Sequence, residues 1–321
     1  MLESSPWDGI GIPGEDFNVR QVTGNTGVPC FWGRDKSGAC LFIVELHGNH
    51  AGQYLKSSVT AHGVDVDLRH ADTDKQRLVL TLEKEVDRDL FEGLCRTLIS
   101  ALERATDSAS SLAISLAHIR RWKAFLSGRG QHLSAEEVRG LFAELTFLLE
   151  LLNRRGSPEA AINAWLGAEK SHQDFIFGNT AVEIKSLSGA ERSSVRISSE
   201  DQLESLNDAL FLRIYRLSEQ SNSSVSRSLN AIVADLHDLL NDANAIEAFD
   251  RKLAACGYAP LPDYDEPGFV VSKVTTYHAQ DMFPRLIRSR LPLGITKVAY
   301  DIKLEVLAPY ECDGGAVFAE E

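Results

Sequence analysis

The sequence predicts a mixed α/β protein of the α+β kind, with a small β-rich domain ahead of a larger one in which helices and strands both occur. Three observations predict it. Apolar and polar residues alternate with period two between Leu41 and Leu82, the period becomes helical near Asp87, and a capped helix from Ser134 precedes a short hairpin around Gly178 and Asn179. The 321 residues suit two domains, read here as 1–105 and 106–321.

The formal net charge of −13 argues against a protein that coats nucleic acid non-specifically, so any contact with it must be local. The five cysteines include no C-x-x-C pair, which argues against a zinc ribbon or a disulfide framework. The run from Met1 to Trp7 carries no basic-then-apolar leader, and no later stretch is apolar for long enough to span a bilayer. A cytoplasmic protein with no membrane partner is expected.

Taken in order, residues 1–30 are rich in Gly and Pro and read as an irregular arm around Trp7. Strands are expected at Leu41–Leu46, Ser58–Leu68 and Arg77–Leu82, with Arg69–Gln76 as a turn. Leu90, Phe91, Leu94, Leu98 and Leu102 then mark one face of a helix that closes the first domain. A further helix follows to Gly128. It lies in a stretch with no acid between Asp107 and Glu136 but with Arg120, Arg121, Lys123 and Arg129. That island is either a solvated helix face or a local grip for an anion.

The next helix opens with a capping box, Ser134 to Glu137. Glu144 stands three residues after Leu141 and four before Leu148, inside the apolar stripe. A carboxylate there needs a buried cationic partner, or it serves a site. At the hairpin, a two-residue turn at Gly178–Asn179 pairs residues whose numbers sum to 357, so Asp174 faces Glu183. Asp174, Ile176, Ala181, Glu183 and Lys185 then share one face, while Phe175, Phe177, Val182 and Ile184 form a core face. Two facing carboxylates repel. Either a hard cation such as Mg²⁺ neutralises them, or the face is solvated with Lys185 as counter-ion.

Beyond it come a short strand at Ser194–Ile197, a helix cap and first turn from Ser198 to Leu203, and a strand at Ala209–Leu217. One or two helices at Val225–Cys256, a strand at Phe269–Tyr277 and an alternating run at Ile295–Leu307 complete the chain. A second island without acids, between Asp281 and Asp301, holds Arg285, Arg288 and Arg290.

Glu144 on a helix, Asp174 on a strand and Glu183-x-Lys185 on its partner resemble the PD-(D/E)XK nuclease superfamily. The run from Trp165 through His172, Gln173 and Asp174 to Lys185, Arg196 and Gln202 is similar to the bacterial family called domain of unknown function 4420, whose members are often encoded beside restriction or phage-defence genes. Gln173 replaces the Pro of the superfamily's name.

The resemblance implies a restriction-endonuclease-like core, with a mixed central sheet flanked by helices. It also implies Mg²⁺, with Mn²⁺ as a substitute, held by Asp174, Glu183 and the Ile184 carbonyl, with Glu144 assisting. Lys185 would orient water or stabilise charge, and Gln202 would orient the nucleophile or contact DNA. Arg120, Arg121, Lys123, Arg192, Arg196, Arg285, Arg288 and Arg290 are the candidate phosphate contacts, Arg196 being equally a candidate partner of Glu144. The activity implied is a metal-dependent DNA endonuclease of a restriction or defence system, acting on DNA, with other defence proteins as partners and a homodimer if it cuts both strands. The alternative is a catalytically inactive subunit that binds DNA or protein.

Overall fold

The computed structural model describes residues 5–24, 26–57, 59, 61, 63–72, 74–83, 86–127, 132–155, 157–169, 171–189, 193–220 and 225–319. The chain divides into two compact units. One comprises residues 1–131 with 257–262, the other 132–256 with 263–321. The division falls after the helix at 108–127, which the sequence had assigned to the head of the second domain.

In the first unit, β1 (Phe17–Gln21), β2 (Cys30–Asp35), β3 (Cys40–His47), α1 (Ala51–Ser57), β4 (Val64–Asp72) and β5 (Lys75–Leu82) precede α2 (Arg88–Leu102) and α3 (Ser108–Ser127). The strands form one antiparallel sheet in the order β1-β2-β3-β5-β4. Asp87 caps α2, whose Phe91, Leu94, Leu98 and Leu102 are fully buried, the face that the helical period marked. Trp7 stacks on Phe91 at 5.4 Å and donates its indole N–H to the Leu41 carbonyl.

Two expectations are corrected here, and one short helix leaves no signal in the sequence. The arm at 1–30 contains β1, an edge strand almost wholly exposed, so it carries no apolar alternation. Of the strand expected at Ser58–Leu68, Ser58, Thr60 and His62 lie outside the described residues; β4 starts at Val64 and runs on to Asp72, through the first half of the expected turn. Its outward edge is polar, which hid its length. The short α1 has no buried residue and hence no apolar period.

In the second unit, α4 (Ala135–Arg155) and α5 (Pro158–Ala164) lead into β6 (Phe175–Phe177), β7 (Thr180–Ser188), β8 (Ser194–Ile197) and β9 (Ala209–Glu219). Then follow α6 (Leu229–Leu239), α7 (Ala243–Ala255), β10 (Phe269–His278), β11 (Tyr300–Lys303) and β12 (Glu311–Cys312). The main sheet has the order β12-β10-β9-β7-β6, with β7 and β9 parallel and the other pairs antiparallel. It is the mixed central sheet that was expected.

Ser134 and Glu137 close the predicted capping box at the start of α4. Phe147 of α4 packs on Phe175 at 4.7 Å and on Phe177, while Ser228 and Asp242 cap α6 and α7. Each such fully buried apolar side chain contributes roughly 1.5–3 kcal/mol. The opposite face is covered by the β8–β11 ribbon and a 3₁₀ segment at Leu304–Tyr310, in a core that includes Ala181, Leu187, Ile197, Leu212, Ile214 and Leu307.

That second layer corrects the two-faced hairpin of the sequence reading. The Glu183 face of β7 is itself a core face, flanked by Ala181 and Leu187. The expected helix after Ser198 is absent as well. Residues 200–203 form turns, Ser199 Oγ accepts from the Asp201 N–H within them, and Leu203 is drawn into the core. No apolar period follows to propagate a helix. The run Ile295–Leu307 yields only the four residues of β11 before turning 3₁₀.

Candidate active site

Helix α4 carries Glu144 toward the end of the hairpin. Leu141, Leu145 and Leu148 fix that helix face by burial, and among the described residues no Arg or Lys forms an ion pair with the carboxylate. Its partner is instead the indole of Trp165, which follows α5 and donates Nε1–H to Glu144 Oε2 at 2.7 Å. Arg196 pairs with Asp301 at 3.7 Å, which removes it as the partner of Glu144. The buried Lys252 ammonium, from α7, bonds the Trp165 carbonyl and lies 3.1 Å from Glu169. Gly167 leaves no room at this point. A β-carbon there would stand 2.5 Å from Glu144 Oε2 and 3.1 Å from Asp174 Oδ1.

The hairpin has the predicted register, with Phe175 opposite Val182, Ile176 opposite Ala181 and Phe177 opposite Thr180. Gly178 takes φ 53°, the left-handed value that a two-residue turn with glycine first requires. Asp174 lies just beyond the last pair. Its carbonyl accepts from the Leu166 and Gly167 N–H groups, and its Oδ2 accepts from the Ile184 N–H at 2.7 Å. Lys185 Nζ lies 2.8 Å from Glu183 Oε1 and 3.2 Å from Gln202 Oε1. Gln202 Oε1 also accepts from the Ser198 N–H. Glu183 is 1% exposed, whereas Glu144 and Asp174 keep some contact with solvent.

Crowding and dehydration set the charge states. Burial, then the charge of Asp174, raises the Glu144 carboxyl to about 8, against the opposing pull of Trp165 and Lys185. Burial likewise raises Asp174 despite Lys185 and the Ile184 N–H, and raises Glu183 well above the carboxylate range, with Asp174 adding to it. Burial works against the Lys185 ammonium. The surrounding Glu183, Asp174 and Glu144 outweigh it and hold that lysine above its ordinary value.

These groups line a cleft of about 450 Å³, with Glu136, Arg139, Gly140, Arg196 and Asp301 on its walls. Among the described residues, Arg196 is the one candidate phosphate contact that borders this cleft. Arg285 donates to the Leu203 carbonyl, and Arg288 grips Asp201, so both face an internal acidic turn. Arg290 is exposed in the 3₁₀ turn at Arg288–Arg290. Arg120 belongs to the other unit and bonds Ser57. Arg192 lies outside the described residues, as do the side chains of Arg121 and Lys123. Sequence reasoning missed Arg139 and Gly167 as cleft neighbours, and Trp165 as the partner of Glu144. The pattern Trp165-Leu-Gly167 directly before the acidic strand was the only available signal.

Among the described residues no group of three or more His, Cys, Asp or Glu is arranged to hold a metal ion unaided. A hard cation nevertheless fits. Neither oxygen of buried Glu183 has a hydrogen-bond partner in good geometry, and Mg²⁺ is commonly bound by one or two carboxylates plus water. Asp174, Glu183 and the Ile184 carbonyl are the donors that would hold it, with Glu144 beside them.

A mixed sheet that presents an acid at its hairpin end, an acid-x-lysine on the next strand and a helix-borne Glu defines the class of PD-(D/E)XK nuclease-like proteins. A family model described as "Putative PD-(D/E)XK family member (DUF4420)" matches residues 4–305, and the chain belongs to that family. Nucleases of the superfamily typically use divalent metals. No curated protein matched in a second comparison, and no solved structure matched in a third. No helix among the described residues is long and apolar enough to cross a membrane.

Proposed function

We propose that this protein is a metal-dependent DNA endonuclease of a restriction or phage-defence system, working in the cytoplasm. The observation that carries the reading is the convergence of Glu144, Asp174, Glu183 and Lys185 on one cleft, where burial raises all three carboxyls and the charge of Asp174 adds to the rise of Glu144 and Glu183. Such an arrangement is unfavourable in isolation, and a divalent cation relieves it.

Hydrolysis joins a water oxygen to phosphorus, breaks one P–O ester bond and delivers a proton to the leaving oxygen. A bound Mg²⁺ or Mn²⁺ would supply Lewis acidity there and acidify water. Asp174, Glu183 and the Ile184 carbonyl would hold the ion, with Glu144 assisting. Lys185 stays charged among the acids and donates a hydrogen bond to the attacking water or to the charge that develops on the phosphoryl oxygens. Gln202 fixes the direction of that ammonium. Arg196, on the cleft wall, takes a DNA phosphate, and a dimer places two such sites for a double-strand cut.

Plasmid cleavage with Mg²⁺ or Mn²⁺ tests the reading, with wild type compared against Asp174→Ala and Lys185→Ala. Loss in both variants is expected; equal cleavage by all three would remove the assigned site. The second reading, a catalytically inactive subunit that binds DNA or a defence protein, draws on the internal engagement of Arg285 and Arg288 and on the net charge of −13. Retention of DNA without cleavage under either metal would favour it.

A further inference from the structure

We infer that Gln173 is a positioning residue, whose buried side-chain amide clamps the turn that carries Gln202 and through it sets the direction of Lys185; this rests on the nuclease reading of the cleft. Gln173 is 4% exposed. Its Nε2 lies 2.9 Å from the Asp201 carbonyl, 3.3 Å from that of Gln202 and 2.8 Å from that of Glu204. Three carbonyls of one turn thus converge on a nitrogen with two hydrogens. No other side-chain type of this length presents two donors from one uncharged nitrogen.

Within the turn the backbone bonds are the Gln202 N–H to the Ser199 carbonyl at 3.3 Å and the Glu204 N–H to the Asp201 carbonyl at 3.2 Å, with the Asp201 N–H on Ser199 Oγ. Arg285 reaches one further carbonyl, that of Leu203, at 2.7 Å, so the Asp201, Gln202 and Glu204 carbonyls are those that Gln173 gathers. Arg288 grips it from outside, but through the Asp201 side chain and from a position 59% exposed. The Gln202 side chain points back to the cleft, where Oε1 meets the Ser198 N–H at 2.8 Å and Lys185 Nζ at 3.2 Å. The line of contact runs from Gln173 to the turn, to Gln202, to Lys185.

Chain connectivity adds to this. Gln173 immediately precedes Asp174, whose carboxylate bonds the Ile184 N–H on the strand that bears Lys185. One dipeptide therefore holds both walls of the cleft: Asp174 ties the acidic side and Gln173 the amide side. At this position a proline would supply no donor, and a glutamate would turn negative oxygens toward three carbonyls.

Gln173→Met keeps the length and packing of the side chain while removing the donor. The test compares it with Gln202→Met and with the double variant by two readouts. The first is the ¹⁵Nζ resonance of Lys185 at one fixed pH, which needs no catalysis; the second is kcat and KM for plasmid cleavage. The resonance is expected to move in Gln173→Met toward its position in Gln202→Met, with no further shift in the double variant. A kcat lowered roughly tenfold or more, a KM within about twofold, and no added loss in the double variant are expected from a misdirected group.

A Lys185 resonance unchanged in either single variant, or losses that multiply in the double variant, would overturn the proposal. Should Gln173→Met fail to fold, Gln173→Asn is read by the same criteria, since its shorter side chain withdraws the amide while keeping it polar. A wild type that cuts no DNA would sink the nuclease reading alone, because the resonance comparison still decides the role of Gln173.

Discussion

Arg288 is folded onto Asp201, with Nε 2.7 Å from Oδ1 and Nη2 2.7 Å from Oδ2. This bidentate pair accounts for a cation that the sequence offered to DNA. Arg196 differs, because its contact with Asp301 is 3.7 Å long and both side chains are more than half exposed. Such a surface pair is worth only about 0–1 kcal/mol and yields readily to a phosphate. Arg196→Ala should therefore weaken DNA binding and reduce the slope of log affinity against log salt by about 0.9, the share of one phosphate contact. Arg288→Ala should leave that slope unchanged in the same titration.

The metal-free protein should lose stability as pH rises. Glu144 has a folded pKa of about 8 against an ordinary 4.5, so between those values the folded state binds more protons than the unfolded one. The contribution is complete below pH 4.5 and is lost as pH climbs through 8. Asp174 and Glu183 are shifted in the same direction. Melting curves without metal should fall across this window, and Mg²⁺ should restore the loss most at its alkaline end, since ligands must shed protons to bind it.

Asp174→Asn keeps an oxygen for the Ile184 N–H and removes the like charge that Glu144 and Glu183 both feel. It should raise the melting temperature of the metal-free protein at pH 8, abolish the further rise on adding Mg²⁺, and stop cleavage. A lower metal-free melting temperature than wild type would show that the repulsion inferred at this site is not felt.

Away from the cleft, Arg213 joins Glu150 on α4 at 2.6 Å, and also reaches Thr276 and the Gly314 carbonyl near the C-terminus. The Arg213 side chain is 6% exposed. Glu150→Leu leaves it buried without its counter-charge and should cost about 3–5 kcal/mol in urea unfolding, the usual penalty for breaking a buried pair from one side.

Local signals carried much of this site. Gly178 and Asn179 set the register from inside a two-residue turn, and the apolar spacing around Glu144 located an acid that had to be special. What escaped depends on distant partners. Gln173 meets carbonyls 28 to 31 residues further along the chain, and nothing in its own surroundings reveals that they converge. Arg285 and Arg288 form an acid-free run locally, yet the turn at Glu200, Asp201 and Glu204 reaches them from more than 80 residues away. Charge counted along the chain therefore overstated the cationic surface. The strand β1 escaped for the opposite reason: an exposed edge needs backbone pairing and no apolar pattern.

The bare α-carbon of Gly167 offers a separate tool. A single methyl group placed there would stand 2.5 Å from one acid and 3.1 Å from another, so that the first must shift and the second give way slightly, while every ionisable group of the chain is kept. Gly167→Ala would thus be a silent partner for experiments in living cells: a protein of unaltered charge and surface, able to meet whatever it meets, with the spacing of its acids spoiled from within.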